Sequence, residues 1–206
     1  MREIDNNAVM IAATMYALPP CLHIPIAART IDSIQRFVGK VTPVYVKNER
    51  VLAARVQIVD PAIVDESLII WDMPNSDILH RSPQVWVHVD HMAYRKAYAL
   101  IDPTMDIAGK VIDHVRNRRV ARIMGFEYVR VIPISRRANS SSGGLSEKWE
   151  CEFQSLPSTK AWHLANPTQI QYADITDIAK MLDMSMENSL HDPVNVLQKR
   201  LREERK

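Results

Sequence analysis

The chain has little cysteine, no long apolar run and almost no net charge. Only 2 of its 206 residues are cysteine, Cys21 and Cys151. They stand far apart and outside any CxxC spacing, so neither a disulfide framework nor a zinc knuckle is signalled, and two reduced thiols are expected. No run of about 18 apolar residues is present to span a bilayer. The opening Met1-Arg2-Glu3-Ile4-Asp5 carries acids where a secretory leader would be basic, and no small-residue cleavage site follows. A cytoplasmic location with no membrane partner is therefore expected. The formal net charge of +2 excludes a chain that is basic throughout and wraps nucleic acid with its whole surface.

What is present suits a packed core. Hydrophobic residues make up 47% and charged residues 24%, which argues against wholesale disorder and fits one compact unit. Helical spacing of Ile4, Val9, Met10, Ala13 and Ala17 predicts a helix over 3–17, ended by Pro19-Pro20. Thr30 is placed to cap a second helix reaching Val38, with Gly39 closing it. Strands are expected at Val44–Val46, Val51–Val59 and Leu68–Trp71, from their β-branched and aromatic residues. Val85–Val89 alternates like a half-buried strand, and Asp90 is placed to cap a helix through Tyr94 and Tyr98 that ends before Asp102-Pro103.

Further on, Gly109–Ile112 reads as a short strand that delivers Asp113-His114. Val115–Met124 reads as a helix stopped by Gly125, and Tyr128–Ile132 as another strand, after which Ser135 can cap a helix carrying Asn139. Asp174 can cap a last helix through Ile175, Ile178, Ala179 and Leu182, and Pro193–Lys206 is a basic tail. The expected fold class is α+β. Its parts are an N-terminal α+β region over 1–106, a core over 107–152 and a C-terminal helical region over 153–206.

The charge distribution says more than the sum. Between residues 116 and 137 stand Arg116, Arg118, Arg119, Arg122, Arg130, Arg136 and Arg137, opposed by Glu127 alone. Such a cationic stretch suits a phosphate backbone. An adjacent carboxylate and imidazole, with a carboxamide further on, can supply a hard-cation site and a general base. In that pattern Asp113 and Asn139 offer oxygens to Mg²⁺ or Mn²⁺, and His114 takes a proton from water. Arg118, Arg119, Arg136 and Arg137 are the candidate phosphate contacts, because guanidinium grips phosphate bidentately.

Asp113-His114, together with Tyr128-Val129-Arg130-Val131-Ile132-Pro133-Ile134-Ser135-Arg136-Arg137-Ala138-Asn139, resembles the HNH, or His-Me finger, endonuclease superfamily. The resemblance covers a sixth to a fifth of the chain. It implies a small β-α-β-α core embedded in the larger mixed domain, a DH pair at the end of one strand and a ligand Asn on a following helix. The implied activity is metal-dependent endonucleolytic hydrolysis, on DNA in preference to RNA.

Plainer readings stand beside each of these. Asp90-His91 is a second DH pair, and His88, Asp90 and His91 form an HxDH cluster that also suits a sheet edge and a helix cap. Asn139 precedes serines and suits a turn. Arg118, Arg119 and Arg122 can form a solvated helix face. Glu147, near one helical face with Asn139, is a reserve ligand. At the level of function the rivals are a nucleic-acid-binding protein without catalysis and an assembly protein that forms homo-oligomers.

Overall fold

Runs of β-branched residues build a sheet here, as their shape on a pleated surface favours. The computed structural model describes residues 24–58, 78, 81–142 and 145–183. Among them one seven-stranded sheet contains β1 (Pro25–Ala28), β2 (Gly39–Lys47), β3 (Arg50–Ile58), β4 (Gln84–His88), β5 (Val111–His114), β6 (Tyr128–Ile134) and β7 (Ile170–Tyr172). The order is β2-β3-β4-β6-β1-β7, with β5 also on β6. Every pairing is antiparallel. The helices are α1 (Ile31–Phe37), α2 (Tyr94–Ile101), α3 (Arg118–Met124), α4 (Arg136–Ser142), α5 (Leu145–Gln154), α6 (Pro157–Ala165) and α7 (Ile175–Met181). The fold is α+β.

β6 organises the centre. β4 pairs with Tyr128–Val131 along one edge of it. The other edge is shared end to end, β1 taking Tyr128 and Val129 and β5 taking Val131 to Ile134. The sheet thus draws strands from all three segments distinguished in the sequence, and the 107–152 region shares its ladders with the N-terminal strands.

Period-two alternation assigns the faces. Ala27, Ala53, Val85, Val87, Ile112, Val129 and Val131 pack with Ala97, Tyr98 and Ile101 of α2 and Ala121 of α3. The opposite face sets Ile26, Ile132 and Ile134 against Ala138 of α4 and Ile178 and Met181 of α7. There, too, Ala28, Trp86 and Tyr128 meet Ile34 of α1. With helices on both sides, every residue of β4 and β6 is buried. The half-buried strand expected over 85–89 is therefore a central one, and its polar residues are satisfied internally: Trp86 Nε1 donates to Gln84 Oε1 at 2.9 Å.

Local signals set most helix boundaries. Thr30 Oγ1 accepts from Ser33 N at 3.1 Å and starts α1. Gly39 does not close that helix; it opens β2, where an added Cβ would stand 2.1 Å from the Gln57 carbonyl oxygen. Asn117 caps α3 by accepting from Arg119 N at 2.8 Å, and Gly125, at φ 82°, ends it in the left-handed region. Asp174 starts α7 with a capping box. Asp90 does not cap α2. Its carboxylate binds Arg122 Nη2 at 2.6 Å, a charge-assisted bond stronger than a cap to a neutral amide. The expected helix over 3–17, the strand at Leu68–Trp71, the tail after Pro193, Cys21 and the side chain of Glu147 lie outside the described residues.

Candidate functional site

Asp113 and His114 are the last two residues of β5, and they leave the strand on opposite faces. His114 is paired with Val131 and shares the α2 layer; Asp113 is paired with Ile132 and shares the α7 layer. The His114 ring packs edge-on against Tyr94 with centroids 4.4 Å apart. It is 6% exposed, and its Nε2 has no hydrogen-bond partner among the described residues. Burial draws its pKa down to about 4. Asp113 opposes that shift, while Arg118, Lys180 and Arg122 add to it. Across the strand, Asp113 Oδ2 lies 2.7 Å from Lys180 Nζ, and the same ammonium donates to the His114 carbonyl oxygen at 3.0 Å.

Asn139 reaches this region from α4. Ser135 Oγ accepts from Ala138 N at 3.1 Å, and the Ser135 carbonyl accepts from Asn139 N at 3.1 Å, so Ser135 starts the helix as its chemistry suits. Ser135 N in turn donates to Asp183 Oδ1 at 2.7 Å, beyond the end of α7. Ala138 sits in the core with Val115, Ile132 and Ile134, which lays α4 over the face that carries Asp113. Asn139 is half-buried. The fold therefore brings Asp113 and the helix of Asn139 to one layer and sends the His114 ring to the other.

The arginines, gathered within residues 116–137 of the sequence, are divided in space. Arg116 is buried and bonded to Glu150 of α5. Arg130 is 1% exposed, and its guanidinium donates to the Ile78 carbonyl; burial lowers its pKa to about 10, so it stays charged at neutral pH. Arg122 holds Asp90 and donates to the Val89 carbonyl at 2.9 Å. Arg118 donates to Met92 Sδ at 3.2 Å and stands over the Tyr94 ring, its Cζ 5.9 Å from the centroid. Arg119 is exposed on α3, whereas Arg136 and Arg137 are exposed on α4, in the opposite layer.

The HxDH cluster is knit into the sheet end. His88 Nδ1 accepts from Asp90 N at 3.1 Å, and its ring meets Tyr128 edge-on. His91 packs beside Tyr45. Burial lowers the pKa of both imidazoles. Among the described residues no group of three His, Cys, Asp or Glu side chains is arranged to hold a metal ion. Asp113 and Asn139 nonetheless offer hard oxygen donors, and a Mg²⁺-type site uses few protein ligands. The donors suit that ion, and the Asp113 carboxylate already carries an ammonium partner.

Two residues of this region had no signal in the sequence. Lys180 follows the apolar positions Ile178 and Ala179 on an ordinary helical pattern, yet it is 4% exposed. Asp177 is buried within the first turn of α7. Burial and the charge of Asp174 raise its pKa well above the carboxylate range, with Arg116 opposing them. Compared with protein-family models, with curated proteins and with solved structures, the chain matches none.

Proposed function

We propose that the chain hydrolyses phosphodiester bonds in nucleic acid with the help of a divalent cation, on DNA in preference to RNA. One arrangement supports this reading. β5, carrying Asp113 and His114, pairs antiparallel with β6, and α4, carrying Asn139, begins two residues after Ile134 and lies on the Asp113 face. With α3 between the two strands, this is the strand-helix-strand-helix order that the His-Me finger resemblance implies. Asp113 and Asn139 are the residues that would hold Mg²⁺ or Mn²⁺, and such an ion, when bound, supplies positive charge against a phosphate. His114 is neutral at pH 7, because its pKa is about 4, and so it is in the form a base needs. To act on water at the Asp113 face, the end of β5 itself must turn over, because the His114 ring leaves the strand on the other face. Arg136 and Arg137, exposed on the Asn139 helix, supply guanidinium groups for phosphate on the Asp113 face, whereas Arg118 and Arg119 on α3 belong to the opposite layer.

A second reading has its own observation. Asp113 is paired with Lys180, and His114 belongs to the opposite layer, which fits nucleic-acid binding without hydrolysis. The test incubates wild type, His114→Ala and Asp113→Asn with plasmid, single-stranded DNA and RNA, in Mg²⁺, Mn²⁺ or EDTA. Metal-dependent cleavage lost in both variants is the expected result. Cleavage unchanged in His114→Ala removes that residue from the mechanism. Salt-dependent binding with no cleavage in any condition decides for the second reading.

A further inference from the structure

Neither motif nor charge pattern singles out Lys180, yet its ammonium is bonded to the carboxylate on which the metal reading depends. The side chain crosses from α7 to the end of β5 and is buried there. Its Nζ touches both residues of the Asp-His pair: the Asp113 carboxylate at 2.7 Å and the main-chain oxygen of His114 at 3.0 Å. A buried ammonium is costly unless paired, so these contacts hold the lysine in place and, equally, hold the strand end in place.

We propose that Lys180 is a positioning residue that acts as an internal cation of the site: it competes with a divalent ion for the Asp113 carboxylate. The proposal rests on the reading of Asp113 as a metal ligand. The physical reason is charge. Oδ2 already accepts from the ammonium, and a second cation brought to the same carboxylate in a partly buried place is repelled by the first. When the metal takes Asp113, the ammonium withdraws and its bond to the His114 carbonyl goes with it. Metal binding and the set of the chain at His114 are thereby coupled through one side chain.

The experiment reads Mn²⁺ binding and lysine reactivity, not activity. Mn²⁺ binding is measured by titration calorimetry on wild type, Lys180→Gln, Lys180→Arg and Asp113→Asn. Lys180→Gln is expected to bind more tightly by about tenfold, within the usual range of coupling between two ligands. Lys180→Arg, which keeps the charge, is expected to bind no more tightly than wild type. In parallel, wild type is acetylated at fixed pH with and without saturating Mn²⁺, and labelling at Lys180 is read by mass spectrometry against the exposed Lys40 and Lys47. Labelling of Lys180 should rise with Mn²⁺. If Lys180→Gln fails to fold, the labelling of the wild-type chain decides alone. Mn²⁺ binding that depends on Asp113 but leaves Lys180 labelling unchanged and gains nothing in Lys180→Gln overturns the competition. Binding that Asp113→Asn leaves intact, or no binding at all, overturns the ligand reading beneath it.

Discussion

Removing the titrating ring of His114 tests how the strand end is packed. In the folded chain its pKa is about 4, against an ordinary 6.5, chiefly because burial disfavours the charged form. Between those values the unfolded chain binds a proton that the native chain does not, so acid favours unfolding there. The stability tied to a neutral His114 is whole above pH 6.5 and is lost progressively as the pH falls to 4. A gap of 2.5 between those two values, at about 1.4 kcal/mol each, comes to between about 3 and 4 kcal/mol, of which about 3 is lost by pH 4. His114→Leu keeps an apolar side chain against Tyr94 and abolishes the titration. Urea unfolding of both proteins at several pH values should show wild type losing about 3 kcal/mol more than the variant between pH about 7.5 and about 4. His88, His91 and His163 are also held neutral by burial, so both proteins weaken in acid and only their difference is diagnostic. A difference that stays flat with pH would refute the account of His114 as a buried neutral imidazole.

Three further outcomes are expected. Gly39→Ala places a Cβ 2.1 Å from the Gln57 carbonyl oxygen and should destabilise by about 2 kcal/mol or more, read from the urea midpoint; a neutral effect would mean that β2 and β3 separate easily. Asp174→Ala removes bonds to Thr176 N at 2.8 Å and Asp177 N at 2.9 Å and should cost about 1 kcal/mol by the same assay. Arg136→Ala with Arg137→Ala should lower the dependence of DNA affinity on log salt by about 2, one phosphate for each residue. An unchanged slope removes α4 from the interface.

Much of the fold was legible because its signals are local. Thr30, Gly125, Ser135 and Asp174 act within a turn of their own positions, and the structure uses Thr30, Ser135 and Asp174 as caps and Gly125 as a stop, whereas the helix expected from Val115 begins at Arg118 behind the cap Asn117. β1 and β7 were not legible: four and three residues are too short for a period, and they exist through the partners they hydrogen-bond. α5 and α6 escaped for a different reason. Cys151, Phe153, Trp162 and Leu164 stand among polar residues without a clean apolar face, so pattern alone does not mark them. Asp90 looked like a cap because its nearest amides follow it in sequence, but Arg122, thirty-two positions on, offers the stronger bond.

The candidate site divides along the same line. Sequence alone determined that Asp113-His114 closes an apolar run, that a capped helix carries Asn139, and that arginines crowd the stretch between them. Tertiary structure decided where those groups point. Pairing with Val131 and Ile132 turns His114 and Asp113 to opposite faces, because successive strand residues alternate whatever their chemistry. Burial of β6 takes Arg130 out of the cationic surface, and the packing of α7 sets Lys180 on Asp113. Such contacts join residues far apart in the chain, and only the assembled sheet with helices on both faces brings them within reach of one another.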